Sequence, residues 1–141
     1  MKRLLLQDEG VIFVNPSPGY DALSAIYPYV IAHPNGDILA FYRLGQGMYS
    51  TDGTIGVSRL SPGENKWVAE GSIHFPKDSS TSYSYVLAVP SVHGDGSIVL
   101  TITRFAVTPD CNPRFNEQTG GLKGGDEQVV SISRDVGKTW S

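Results

Sequence analysis

The fold of this chain is indicated first by a stretch near its end, SRDVGKTW at residues 133–140. Its pattern is Ser-x-Asp-x-Gly-x-Thr-Trp, and each fixed position suits a tight turn between two β-strands. The Asp135 carboxylate can accept hydrogen bonds from main-chain N–H groups that the turn leaves unpaired, and Gly137 can take a positive φ without a steric penalty. Ser133 and Thr139 can tie the flanks of the turn to the main chain. Trp140 offers a large apolar surface for burial at the start of the next strand.

The composition of the chain limits the ligands that it can bind. The 141 residues include 16 glycines and 9 prolines, and the formal net charge is −3. With no excess of basic residues to neutralise phosphates, nucleic-acid binding is not expected. Cys111 is the only cysteine in the sequence, so no intramolecular disulfide can form, and no residues have the spacing of a zinc site. We therefore expect neither a metal nor another cofactor.

The start of the chain carries no recognisable export signal. Its apolar run, Leu4-Leu5-Leu6, is too short for the hydrophobic region of a signal peptide, and no segment is long enough to span a membrane. We therefore expect a soluble chain with no membrane partner, in the cytoplasm or in a compartment that the sequence does not specify.

Short β-strands are predicted along the whole chain. No window has the apolar spacing of an amphipathic helix. Instead, runs rich in Val, Ile, Tyr and Phe are separated by Gly, Pro, Asn and Asp, which is the pattern of strands and turns. The predicted strands are 11–14, 26–32, 38–42, 55–58, 67–75, 83–89, 98–103 and 129–133.

These runs form an internal repeat. In each copy, an Asp- and Gly-containing turn leads to a strand that ends in an arginine, Arg43 or Arg104, and a loop then leads to a strand, a turn and a tryptophan, Trp67 or Trp140. A repeat of four strands is typical of a β-propeller blade. The sequence therefore predicts an all-β chain with about two four-stranded antiparallel blades, at about residues 26–75 and 81–141, the second of them cut short.

The motifs resemble those of the sialidase-like superfamily of six-bladed β-propellers. The stretch at 133–140 resembles the Asp box, or BNR repeat, which is structural in those proteins, and residues 60–67 resemble a decayed box that keeps the tryptophan. Residues 27–41 resemble the first blade of such propellers. The resemblance implies that residues 1–141 are a partial propeller domain, the N-terminal part of a longer protein.

The resemblance also implies site residues on the side of the long loops 44–54 and 105–126. In sialidases an aspartate in the corresponding loop is the general acid/base, which here would be Asp52, although an ordinary Asp-Gly turn explains the same residues. Sialidases also hold the sialic acid carboxylate with three arginines. Ile26 occupies the position of the first, so we expect a glycoside without a carboxylate there. The candidate substrate-binding residues are Arg43, Tyr49, Tyr27 and Arg104.

Three classes of function remain open at this stage. The first is a glycoside hydrolase, an exo-sialidase or related glycosidase, that acts on a glycan. The second is a non-catalytic carbohydrate-binding propeller in which Tyr27, Tyr49 and Phe115 stack on sugar rings, and the third is a protein-interaction propeller. A Glu–Tyr pair further along the full gene would favour the enzyme. Because two blades alone leave apolar sheet faces uncovered, we also expect either poor solubility or self-association, for which three copies completing a six-bladed ring are one form.

Overall fold

The computed structural model describes residues 9–75, 81–111 and 114–141, and within them the only helical element is a single 3-10 turn at Pro109–Cys111. The all-β prediction is therefore confirmed. The strands are β1 (Ser24–Ala32), β2 (Ile38–Gly45), β3 (Thr54–Leu60), β4 (Val68–Ser72), β5 (Tyr83–Val92), β6 (Ile98–Ala106), β7 (Phe115–Asn116), β8 (Gly121–Leu122) and β9 (Asp126–Ser133).

The strands form two antiparallel meanders. The first sheet has the order β1-β2-β3-β4, and the second has the order β5-β6-β9, with β7 and β8 forming a small hairpin in the connection between β6 and β9. Over the described residues the second sheet has three long strands, as predicted for a blade that is cut short in its fourth strand. After the turn at 133–140, only Ser141 pairs with β9, through two main-chain hydrogen bonds with Ile132 of 2.9 and 3.0 Å.

The main core lies between the two sheets. Side chains alternate along a strand, so every second residue of β2 and β3 faces the second sheet. Full burial of one such aliphatic or aromatic side chain stabilises the fold by about 1.5–3 kcal/mol. The buried apolar residues of this core are Leu39, Phe41, Ile55, Val57, Ala88, Ile98, Leu100 and Ile102.

The outer face of the first sheet is covered by the segment that precedes β1. Ile12 and Phe13 pack there against a cluster that includes Tyr42, and the Ser58 hydroxyl donates a hydrogen bond of 2.9 Å to the carbonyl of Ile12. The prediction of a strand at 11–14 is therefore wrong. The neighbours of β2 within the sheet are already β1 and β3, so the segment lies across the face and pairs with no edge.

The outer face of the second sheet is more open. Val89 and Val130 are 40% and 62% exposed, and Thr101, which lies between them in the register of β5, β6 and β9, is exposed too. The two sheets thus differ, since the central outer residues of the first, Ala40 and Tyr42, are packed, although Val30 beside them is 52% exposed, and those of the second largely face solvent.

Two contacts join the sheets at the edge formed by their short turns. The His33 ring nitrogen Nε2 lies 2.8 Å from the carbonyl oxygen of Gly96 in the second sheet. Arg59 donates to the Val136 carbonyl at 2.8 Å and forms an ion pair with Glu70 at 2.6 Å. The hydrogen bond with Glu70 raises the pKa of Arg59, and burial opposes it. The short-turn edge is therefore fixed by buried polar contacts.

The turn at 133–140 is organised around the Asp135 carboxylate. It accepts hydrogen bonds from the N–H groups of Lys138 and Thr139 at 3.1 and 2.8 Å, and from the hydroxyls of Thr139 and Ser133 at 2.6 and 2.8 Å. These bonds favour the ionised form and lower the pKa of Asp135 to about 2, with the Thr139 hydroxyl as the largest cause.

The same turn packs against the intersheet core. Gly137 has a φ of 85°, which a residue without a Cβ adopts freely. The Trp140 indole N–H donates to the Gly137 carbonyl at 3.0 Å, and its ring meets the Phe41 ring edge-on at 5.9 Å between centroids. The tryptophan thereby connects the turn of the second sheet to the first sheet.

Candidate functional site

The two long connections lie on the edge opposite the short turns, which we call the loop edge. It comprises residues 46–53, between β2 and β3, and the described residues 107–111 and 114–125, between β6 and β9. The second connection contains the 3-10 turn and the β7–β8 hairpin. Residues on loops that a rigid scaffold positions are frequent binding sites, and every candidate from the sequence lies on or beside this edge.

An exposed aromatic pair is formed by one residue from each connection. Tyr49 and Phe115 are 45% and 40% exposed, and their ring centroids lie 6.1 Å apart with an interplanar angle of 33°. Leu122, the hairpin partner of Phe115, is exposed as well. A contiguous apolar patch of this kind on a surface often marks an interaction site.

Tyr27 lies beside this edge in an unusual backbone conformation. Its φ is 56°, in a β-bulge between Ile26 and Tyr29, where the register between β1 and β2 shifts. A residue other than glycine in the left-handed region costs about 1–3 kcal/mol, and such residues cluster at functional sites. Its side chain is 37% exposed and close enough to Arg43 to affect the pKa of that residue.

Arg43 is buried and its donors are used within the protein. It is only 1% exposed, and it donates to the carbonyls of Gly47 and Ser50 at 2.8–3.2 Å, to the Ser50 hydroxyl at 2.9 Å and to the Tyr85 carbonyl. Burial lowers the pKa of Arg43, and the nearby charge of Asp52 opposes this. In this arrangement Arg43 shapes the β2–β3 loop and offers no free donor pair to a carboxylate.

Asp52 is exposed and closes the loop that Arg43 organises. Its two carboxylate oxygens accept a hydrogen bond across the loop from the main-chain N–H of Gln46, with the nitrogen 3.2 and 3.1 Å away. Asp52 is therefore both a turn residue and a solvent-accessible carboxylate three residues from Tyr49. The geometry is compatible with either interpretation of this residue, the turn or the acid.

Arg104, the repeat counterpart of Arg43, belongs to a different cluster. Its guanidinium stacks 3.8 Å above the Tyr83 ring and forms an ion pair of 3.1 Å with Glu127. Burial lowers the pKa of Arg104, but hydrogen bonds with Glu127 and Tyr85 raise it more. The residue borders an open groove of about 310 Å³ together with Phe75 and Tyr85.

Sequence reasoning missed Arg114, which is a central residue of the longer connection. It is 2% exposed, lies 3.7 Å above the Phe105 ring and forms an ion pair with Asp126. Its charge contributes to the lowered pKa of Arg43. One signal in the sequence could have indicated this ion pair, because residues of opposite charge, Arg114 and Asp126, stand on either side of the hairpin. It was overlooked because charged and polar residues are common in any loop.

Two further properties concern the described part of the chain. It contains no group of three or more His, Cys, Asp or Glu side chains that could hold a metal ion. It also contains no helix that is long and apolar enough to cross a membrane.

Comparison with known proteins gives information about the fold alone. No protein family matches the chain, and no curated protein is significantly similar to it. It is similar to a solved protein of unknown function from Dyadobacter fermentans DSM 18053, with a TM-score of 0.64 and 20% sequence identity. The alignment covers 94% of this chain and 37% of that chain, so this chain spans little more than a third of that structure's length.

Proposed function

We propose that this chain is part of a sialidase-like β-propeller whose loop edge binds a glycan. The observation that carries the proposal is the exposed pair of Tyr49 and Phe115, to which the two long connections each contribute one ring. Aromatic rings offer flat apolar surfaces on which the C–H faces of sugar rings can pack, while nearby polar groups bind the hydroxyls. Tyr27 and Asp52 on the same edge supply such polar groups.

The propeller assignment is supported by three features. Two antiparallel meanders pack face to face through one core, and the turn at 133–140 uses the hydrogen bonds that an Asp box would need. In addition, the similarity to a solved chain covers nearly all of this one but only 37% of the other, as expected for a few blades of a longer ring.

Within this proposal, Asp52 is the general acid of a glycoside hydrolase. Its carboxylate is exposed on the loop of Tyr49, where a sugar stacked on the aromatic pair would bring a glycosidic oxygen within reach. Protonation of that oxygen assists departure of the leaving group. A carbohydrate-binding propeller without catalysis is the second candidate, and it is favoured by the internal use of the Arg43 donors.

Glycan binding is tested with an oligosaccharide array and the 141-residue chain. We expect Tyr49→Ala and Phe115→Ala to weaken binding by about tenfold or more, since stacking on one aromatic residue contributes roughly 0.5–1.5 kcal/mol beyond the buried area. The matched control is Tyr20→Ala, because Tyr20 is 95% exposed. Loss of binding in the control as large as in the two variants would contradict the proposed site.

Catalysis is tested in the full-length protein with Asp52→Asn. We expect turnover of natural glycosides to be abolished, turnover of activated aryl glycosides to be spared in part, and the melting temperature to stay nearly unchanged, because Asn suits the same turn. Full activity of the variant on a natural glycoside would exclude Asp52 as the acid. Binding without any turnover by the unmodified protein would indicate the non-catalytic candidate.

A further inference from the structure

The arginines of the loop edge and of the strand ends beside it are engaged by the protein itself. Arg43 and Arg114 are buried, and the side chain of Arg104 is 14% exposed. Each of the three guanidiniums binds acceptors within the protein. Lys123 lies close enough to Asp110 to lower its pKa, after the larger effect of the Thr108 hydroxyl. No guanidinium of this set is left as an open fork for an anionic ligand.

The acidic groups of the same edge, by contrast, face solvent. The loop edge and the strand ends beside it together carry five exposed carboxylate residues and the four basic residues named above, so these residues have a formal net charge of −1. Two of the carboxylates, Asp126 and Glu127, are paired with buried arginines and still have side-chain exposures of 43% and 47%. The exposed acidic residues are Asp52, Asp110, Glu117, Asp126 and Glu127.

We infer that the glycan bound at the loop edge is uncharged, an inference that rests on the proposed function. A sugar carboxylate or sulfate needs charge-assisted donors. Here it would meet exposed acidic side chains and no free guanidinium of Arg43, Arg104 or Arg114, and losing water in such surroundings is costly. A neutral sugar needs only a stacking surface and acceptors for its hydroxyl protons. Tyr49 with Phe115 supplies the first, and the exposed carboxylate of Glu117, two residues from Phe115, is available for the second.

Releasing Arg43 for an anion would not remove this preference. The guanidinium would have to give up its hydrogen bonds to the carbonyls of Gly47, Ser50 and Tyr85, and charge-assisted bonds of this kind are among the stronger ones in proteins. The loop that carries Tyr49 and Asp52 would lose its internal support at the same time. The hydrogen bonds of Arg43 that hold the loop of Tyr49 in place thus also keep the guanidinium from binding an anion.

The experiment is an array of neutral oligosaccharides, each printed beside a counterpart that carries one sialic acid, uronic acid or sulfate. We expect neutral members to bind and each acidic counterpart to bind about tenfold or more weakly, because like charges in contact are disfavoured. A rise in salt from about 50 to about 300 mM should change neutral binding less than about twofold. Equal or tighter binding of acidic counterparts would overturn the inference but keep the proposed function. Absence of binding to every glycan would overturn the proposed function itself.

A charge change beside the aromatic pair tests the electrostatic cause. Glu117 lies two residues from Phe115. We expect Glu117→Lys to reduce the ratio of the affinities for neutral and acidic oligosaccharides by about threefold or more, and Glu117→Gln, which only removes the charge, to reduce that ratio less. Tyr49→Ala should weaken neutral and acidic members together. An unchanged difference in both Glu117 variants would contradict the electrostatic explanation.

Discussion

The guanidinium of Arg43, in the first sheet, donates a hydrogen bond to the main-chain carbonyl of Tyr85, in the second sheet. The same group holds the carbonyls of Gly47 and Ser50, so the β2–β3 loop is wrapped around one buried cation. This side chain therefore sets the shape of the loop that carries Asp52 and joins that loop to β5.

Replacing Arg43 should destabilise the fold. We expect Arg43→Lys to lower the free energy of unfolding by about 2–4 kcal/mol, because one ammonium group cannot reach acceptors that a planar fork satisfies together. Urea denaturation measures the change. The control is Arg134→Lys, the same chemical change at an exposed arginine, and an equal effect at both positions would contradict the role of Arg43.

Gly53 should tolerate no side chain. A Cβ there would overlap the Arg43 guanidinium and the Tyr85 carbonyl, and the Gly53 N–H donates to the Ser84 hydroxyl at 3.1 Å. We expect Gly53→Ala to cost about 1–3 kcal/mol of stability, as overpacking of a filled site does. Gly47→Ala, at a position with open space, is the control in the same denaturation experiment. A Gly53→Ala variant as stable as the unmodified chain would contradict this prediction, because the Arg43 guanidinium and the Tyr85 carbonyl would then have moved aside without cost.

The Asp135 turn should make stability depend on acid pH. The pKa of Asp135 in the folded chain is about 2, below the ordinary value of 3.8 for an aspartate, because the Thr139 hydroxyl and the other donors of the turn favour the ionised form. The group therefore contributes stability that is fully present above that value and is lost as the pH falls through about 2. We expect the melting temperature of Asp135→Asn to lie below that of the unmodified chain at neutral pH and to approach it in acid. A constant difference across that range would contradict the prediction.

Self-association should occur through the outer face of the second sheet. The outer face of the first sheet is covered by Ile12 and Phe13, so we expect pairs of chains in place of the three-copy ring predicted from the sequence. Val130→Lys should shift sedimentation towards the monomer, because it charges the open face. Val68→Lys, at a valine of similar exposure on β4, should not. A chain that stays monomeric at high concentration would refute this prediction.

The strands and the turn at 133–140 could be predicted because their determinants are local. Runs of β-branched and aromatic residues specify strands, and Asp135 and Gly137 specify the turn within a few residues of sequence. Residues 11–14 show the limit of this reasoning. Their apolar pattern reports burial correctly, but a pattern does not distinguish burial on a sheet face from pairing at a sheet edge.

The chemistry of the loop edge was harder to predict because it depends on contacts between distant residues. Tyr49 and Phe115 could be named as exposed aromatics. Their contact could not be predicted, because the two residues are 66 positions apart in the sequence and lie on different loops. The burial of Arg114 depends on Phe105 and Asp126, which fold back over it. A strand-end arginine such as Arg43 has the same local sequence pattern whether it is free or enclosed.

The clamps at both edges have a consequence for ligand affinity. Tyr49 and Phe115 lie on connections of different sheets, and those sheets are joined by Arg43 and Tyr85 at one end and by His33 and Gly96 at the other. The spacing of the two rings is thus preorganised, and a ligand that spans them spends little conformational entropy on ordering its receptor. The distance between the two rings then depends on the angle between the sheets. Loss of the distant His33 contact would therefore change the ring spacing, and with it the ligand affinity, although His33 does not contact the ligand.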